Sequence, residues 1–167
     1  LTACSRKQIL DEKNSLKGFW QFVQTIDAVK AAAYKDYTIF GEWLVKHTVR
    51  YREDAYSKWY VYDVYDNVNE AWMPQDFVKQ VCRDIGLNYV HVLYEGPFIS
   101  WDHIFSLAKE DSAYGAAEME GVVVKNMDRL DNKCSATPSY IKFVNQSFRE
   151  TKAHMHAPKD PAKEAEY

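Results

Sequence analysis

Four short segments carry side chains of the kinds that hold a nucleotide. They are Phe40-Gly41-Glu42-Trp43, Tyr60-Val61-Tyr62-Asp63, Glu120-Gly121-Val122-Val123-Val124-Lys125 and Ile141-Lys142-Phe143-Val144, with a Ser5-Arg6 pair ahead of them. A nucleotide pocket needs an aromatic face for the base, an acceptor for ribose hydroxyls, cations for phosphates and a carboxylate for Mg²⁺. Strands meet that need well, because alternate residues on one face converge on one pocket. Glu120 and Lys125 are five apart. On a regular strand that odd spacing sends them to opposite faces. Glu120 is therefore expected at the strand's start, where Gly121 permits an irregular backbone.

Taken singly, each residue has an ordinary reading. A glutamate at a strand start is usually a solvated edge residue, and a lysine at a strand end usually faces water. A tyrosine in an aromatic strand is more often core than base-stacker, and Glu42 beside Trp43 fits plain alternation. The ordered set carries the argument, not its members.

The elements that must position these residues are legible in the pattern. Leu16, Phe19, Trp20, Val23 and Ile26 recur at helical spacing, which predicts a helix from about Asp11 to Ala33. Thr38 to Val45 and Lys58 to Tyr65 are rich in β-branched and aromatic residues and are expected as strands, with a polar loop between them. Pro74 opens a helix that Gly86 closes. Tyr89 to Tyr94 is expected as a third strand, and Ser100 as the cap of a helix from Trp101 to Leu107. Gly121 to Lys125 and Tyr140 to Val144 are two further strands. The expected class is α+β, with mostly antiparallel sheets flanked by helices. Residues 1–150 are expected as one domain, incomplete at the N-terminus, and 151–167 as a charged tail or linker to a further C-terminal region.

Composition bounds the reading. The chain has 167 residues, 47% hydrophobic and 27% charged, enough for one folded domain. Net charge is −3, so bulk electrostatics cannot be what holds nucleic acid, and any such contact must be local. Three cysteines, Cys4, Cys82 and Cys134, lie far apart and form no C-x-x-C pair. That excludes a disulfide framework or zinc ribbon and points to a reducing setting such as cytoplasm. No apolar run approaches the roughly 18 residues a spanning helix needs. The first residues hold no apolar stretch of signal-peptide type, and the chain does not begin with Met; it is expected to start within a longer product. His47, His91 and His103 are scattered without a Ser or Cys nucleophile beside them, which argues against a hydrolase. His154 and His156 lie in the tail.

The ordered series resembles the covalent nucleotidyltransferases, the superfamily of DNA ligases, RNA ligases and capping enzymes. The wording Phe-Gly-Glu-Trp, Tyr-Val-Tyr-Asp-Val-Tyr-Asp, Tyr-Glu-Gly-Pro-Phe and Glu-Gly-Val-Val-Val-Lys-Asn is most similar to phage-type RNA ligases of the nick-sealing branch. The resemblance runs from Ser5 to about Glu150 and implies an ATP-grasp-like adenylation domain. It implies a role for each matching position. Arg6 would lie near the nucleotide and the nick, Glu42 would bind ribose, and Tyr62 would stack on adenine. Glu120 would help place Mg²⁺, while Lys125 and Lys142 would contact ATP phosphates and offset charge in the transition state. The implied reaction joins 5′-phosphate and 3′-hydroxyl RNA ends. A lysine attacks the α-phosphate of ATP, AMP passes to the 5′-phosphate, and the 3′-hydroxyl displaces it.

The chain departs from the family pattern twice. No lysine here has glycine three residues later, so the nucleophile motif Lys-x-(Asp/His)-Gly is absent, and it is expected just upstream of Leu1. The usual Lys-x-Lys near the end reads Lys142-Phe143-Val144, without the second cation. The alternatives are an ATP-dependent DNA ligase, distinguished by how it reads the 2′-hydroxyl, and a non-catalytic nucleotide- or nucleic-acid-binding homologue without the nucleophile. A capping-type guanylyltransferase ranks lower.

Overall fold

A computed structural model describes residues 1–46, 50–115, 119–126 and 140–146. The tail expected at 151–167, the end of the expected domain, and His47, Cys134, His154 and His156 lie outside the described residues.

The architecture is α+β. Two strands dominate it, β1 (Tyr37–Leu44) and β2 (Lys58–Asp66), paired antiparallel. Their residues are aromatic or β-branched at most positions, which suits a pleated, half-buried surface. A short β3 (Ala71–Trp72) returns antiparallel on the far edge of β2, and β4 (Asn88–Tyr89) lies parallel on that same edge. A separate ribbon pairs β5 (Gly121–Lys125) with β6 (Tyr140–Val144), antiparallel. The helices are α1 (Phe19–Gln24), α2 (Ala28–Ala32), α3 (Gln75–Ile85) and α4 (Trp101–Leu107).

One face of the main sheet carries the core. Val61 and Val64 on β2 and Val78 and Val81 on α3 are fully buried, with Phe19, Val23, Trp59, Cys82 and Ile85 around them. α3 supplies this stripe at 78, 81, 82 and 85, the spacing that puts apolar residues on one helix face. Pro74 precedes its first residue and Gly86 ends it in the left-handed conformation (φ 82°), as expected from the sequence. α4 also stands where its cap predicts: Ser100 Oγ accepts from the His103 N–H at 3.1 Å.

Three expectations need correction. The helix expected over 11–33 is two short helices. Leu16, Lys17 and Gly18 all have positive φ (49°, 52° and 92°), which no right-handed helix tolerates, so α1 cannot start before Phe19. Asp27 then caps a new helix, accepting from the N–H groups of Val29 and Lys30. The apolar period still did its work, because Phe19 and Val23 are buried while Trp20, Phe22 and Ile26 pack against the core. The strand expected over 89–94 shrinks to Asn88–Tyr89. β3 already occupies β2 at Tyr65 and Asp66, and Met73 N–H donates to Val64 O, so β4 has edge to pair with only at Tyr60 and Val61. The strand expected at 38–45 ends at Leu44.

The register of β1 on β2 holds the feature that shapes the site. Phe40 pairs with Asp63, and the next residue, Gly41, pairs with Val61. Tyr62 is therefore the extra residue of a β-bulge. Before it, Trp59 and Val61 face the core; after it, Val64 does. The phase shift turns Tyr62 and Asp63 together toward the other face, beside Glu42 and Tyr60. Gly41 sits under the Trp59 indole, where a Cβ would collide with Nε1 and lie 2.7 Å from the Tyr60 carbonyl.

Candidate functional site

Lys125 of the β5–β6 ribbon reaches the bulge. Lys125 Nζ donates to the Tyr62 carbonyl at 2.5 Å and to Asp63 Oδ1 at 2.7 Å, and sits 5.9 Å from the Tyr62 ring centre. The last distance is within cation–π range. Both charged side chains are largely withdrawn from water, at 17% exposed for Lys125 and 10% for Asp63. Burial pulls the Lys125 ammonium below its ordinary pKa; Asp63 opposes that shift without cancelling it.

Tyr62 is the centre of the cluster. Its phenol pKa is raised chiefly by burial, then by the nearby charges of Glu42 and Asp63, while Arg6 lowers it. Arg6 and Glu42 are both exposed, and they bring opposite charges to bear on one half-buried ring. Glu120 is half-buried and immediately precedes β5, at the strand's start as its spacing from Lys125 predicts. It joins the others across Tyr51, whose phenol is raised by burial first and then by Glu120, Tyr56 and Glu42. Lys142 is exposed on β6. Val123 pairs with Lys142 and Lys125 with Tyr140, so Lys142 and Lys125 share a face of the ribbon. Val144, opposite Gly121, falls on that face too, at the position where the usual Lys-x-Lys pattern would carry its second cation. Phe143 turns the other way, onto Trp101 and Phe105 of α4.

The structure thus draws Arg6, Glu42, Tyr62, Lys125 and Glu120 into one region, with Lys142 on its rim. Chemically, that region offers a half-buried aromatic face with a cation over it, carboxylates beside it and basic groups at its edge. Sequence reasoning missed several of its members. Asp63 was named within its segment but given no role, although a charge inside an aromatic strand needs a partner once buried. Gln75, Tyr89, Tyr51 and Asn145 carried no local signal.

Asn145 secures the start of β5. Its Nδ2 donates to Ala108 O (2.8 Å) at the end of α4 and to Met119 O (2.7 Å), and its backbone N–H donates to Glu120 O (2.8 Å). Asn145→Ala removes both side-chain bonds and leaves the carbonyls of buried Ala108 and half-buried Met119 without that donor. We expect a loss of about 1–3 kcal/mol in a denaturant melt, with faster amide exchange at residues 121–125 than on β2.

A family model described as RNA ligase matches residues 1–144 of the chain. No curated protein and no solved structure matches it. With the motif residues gathered at one bulge and the family model spanning nearly all the described residues, the chain belongs to the RNA ligase family.

Proposed function

We propose that this chain is the nucleotide-binding, adenylation domain of an ATP-dependent RNA ligase, with the ATP-grasp-like fold of the nucleotidyltransferase superfamily. The observation that carries the reading is the junction at the bulge. A lysine from β5 lies over the Tyr62 ring, and Glu42 and Arg6 act on the same ring from β1 and the segment ahead of α1. Tyr62 offers its face to adenine, and Glu42 accepts from the ribose hydroxyls. Arg6, Lys125 and Lys142 draw the phosphates. Among the described residues, Lys125 uses two of its three N–H groups, on Tyr62 O and Asp63, which leaves one for a phosphate oxygen. Preorganised cations of this kind offset charge that develops on the phosphoryl oxygens as the bond to the α-phosphate breaks.

Mg²⁺ fits the donor chemistry here. Glu120 and Glu42 are hard oxygen donors that both act on Tyr51. Among the described residues no group of three or more His, Cys, Asp or Glu gathers as a metal cluster. A cation held through one or two carboxylates together with substrate phosphates is the usual arrangement for Mg²⁺. When bound, the ion would neutralise phosphate charge. Glu120 would hold it, and Asn145 would fix the backbone that carries Glu120. The polynucleotide partner is RNA, read as ends to be joined. Among the described residues no helix is long and apolar enough to cross a membrane.

The test uses ATP labelled on the α-phosphate, with Mg²⁺. The 167-residue chain, and the same chain extended by its coding sequence upstream of Leu1, are incubated, denatured and examined for retained label. Label on the extended form supports the reading. Absence of label on both forms, with no ATP binding by either, overturns it. ATP binding without label on either form favours the non-catalytic homologue instead.

A further inference from the structure

Gln75 is a polar residue in an apolar place. It is the first residue of α3, it is 3% exposed, and the residues that follow it on the inward face are Val78, Val81, Cys82 and Ile85. A buried amide is tolerated when its hydrogen bonds are made. Here Gln75 Nε2 donates to Asp63 Oδ1 at 3.1 Å, and Oε1 accepts from the Tyr89 hydroxyl at 2.6 Å. Asp63 Oδ1 is the same atom that accepts from Lys125. One chain of hydrogen bonds therefore runs from Tyr89 on β4, through Gln75 on α3 and Asp63 on β2, to Lys125 on β5.

The chain has a direction. The Asp63 carboxylate can only accept, so it selects the NH₂ side of the Gln75 amide, and Oε1 must face Tyr89. The phenol is then obliged to donate. It is well suited to do so, because burial, followed by the charges of Asp63 and Glu95, pushes the Tyr89 pKa up to about 12. The hydroxyl keeps its proton throughout the range in which proteins work. Without that donor Oε1 is buried with no hydrogen bond from Tyr89, and the amide loses one of the two anchors that hold it against Asp63.

We propose that Gln75 and Tyr89 are positioning residues for Lys125: acting through Asp63, they hold its ammonium over the Tyr62 ring with one N–H left for an anionic ligand. The functional half of this inference, that the ligand is the phosphate of a nucleotide, rests on the reading given under Proposed function. The structural half does not.

The experiment compares the 167-residue chain with Tyr89→Phe and Gln75→Leu. Tyr89→Phe keeps the ring and removes only the hydroxyl, so it guards against a Gln75 variant that fails to fold. NMR of the lysine ammonium groups is read first, with the Lys125 signal assigned by its loss in Lys125→Arg. Water exchange of the Lys125 ammonium is expected to rise about tenfold in Gln75→Leu, and several-fold in Tyr89→Phe, the scale of losing one hydrogen bond. Affinities for ATP with Mg²⁺ and for adenosine are read second. ATP affinity is expected to fall in both variants while adenosine affinity holds, because the defect lies on the phosphate side. Unchanged ammonium exchange in both variants overturns the inference. Equal losses of ATP and adenosine overturn it too, since that is what a general structural defect would give. If neither the 167-residue chain nor its extended form binds ATP, the adenylation reading fails, yet ammonium exchange still decides whether the relay positions Lys125.

Discussion

Lys125→Met is expected to cost both stability and function, and the two losses can be separated. The substitution strips the buried Asp63 carboxylate of its counter-charge and leaves it, among the described residues, the Gln75 amide. Removing one partner of a buried ion pair typically costs about 3–5 kcal/mol, more than the pair itself is worth, because the survivor is left charged without water. A urea melt should show the midpoint falling by that measure. Adding Asp63→Asn to Lys125→Met should restore much of the loss, since the amide needs no counter-ion and can still accept from Gln75. On the proposed reading, adenylation of the extended chain should not return with the fold: the double variant still lacks the cation, and about 10²–10³ in rate is the scale for losing one such group. A single variant that melts like the parent would remove the ion pair from the account of this site. The pH dependence follows from the same burial. The folded chain releases the Lys125 proton below the ordinary lysine pKa. Between the two values the unfolded chain holds more protons, so this group adds stability as pH rises there. Phosphate binding that needs the ammonium declines over the same window, and Lys125→Arg should abolish that decline.

Gly121→Ala should break the second piece of the site. A Cβ at Gly121 would run into the Phe143 carbonyl oxygen, and it would lie 2.8 Å from the Phe143 carbonyl carbon and 2.9 Å from Val144 Cα. All three atoms are backbone of the partner strand, so no side-chain rotation relieves the contact. β6 would have to move away, and the bond from Asn145 N–H to Glu120 O would go with it. Overpacking of this sort costs roughly 1–3 kcal/mol, and a two-stranded ribbon has little stability to lose. The expected result is local: rapid hydrogen exchange across 121–125 and 140–144, with β1 and β2 protected as in the parent. On the proposed reading, labelling of the extended chain by ATP should fall with it, because Glu120, Lys125 and Lys142 all depend on that ribbon. Uniform protection across both sheets would show that the ribbon tolerates the methyl group, and that the glycine serves some other need.

Both experiments probe contacts that join residues distant in the chain, and there the sequence reading stopped. Local elements were readable because their causes are local. Pro74 and Gly86 bound α3, Ser100 caps α4, and runs of β-branched and aromatic residues mark β1, β2, β5 and β6. The break at Leu16–Gly18 was not readable, since three left-handed residues can sit inside an apolar period that stays helical in spacing. Nor was the end of β4, which depends on β3 having taken the same edge of β2.

By itself, the sequence determined the α+β class, most of the elements and the membership in the RNA ligase family. The tertiary structure decided which residues meet. The bulge that makes Tyr62 and Asp63 face the same way exists only in the register between β1 and β2. The ion pair from Asp63 to Lys125 spans 62 positions, and the Gln75–Tyr89 support comes from two further elements. Propensity and capping act over a few residues, whereas a buried charge finds its partner only when the whole chain has closed around it.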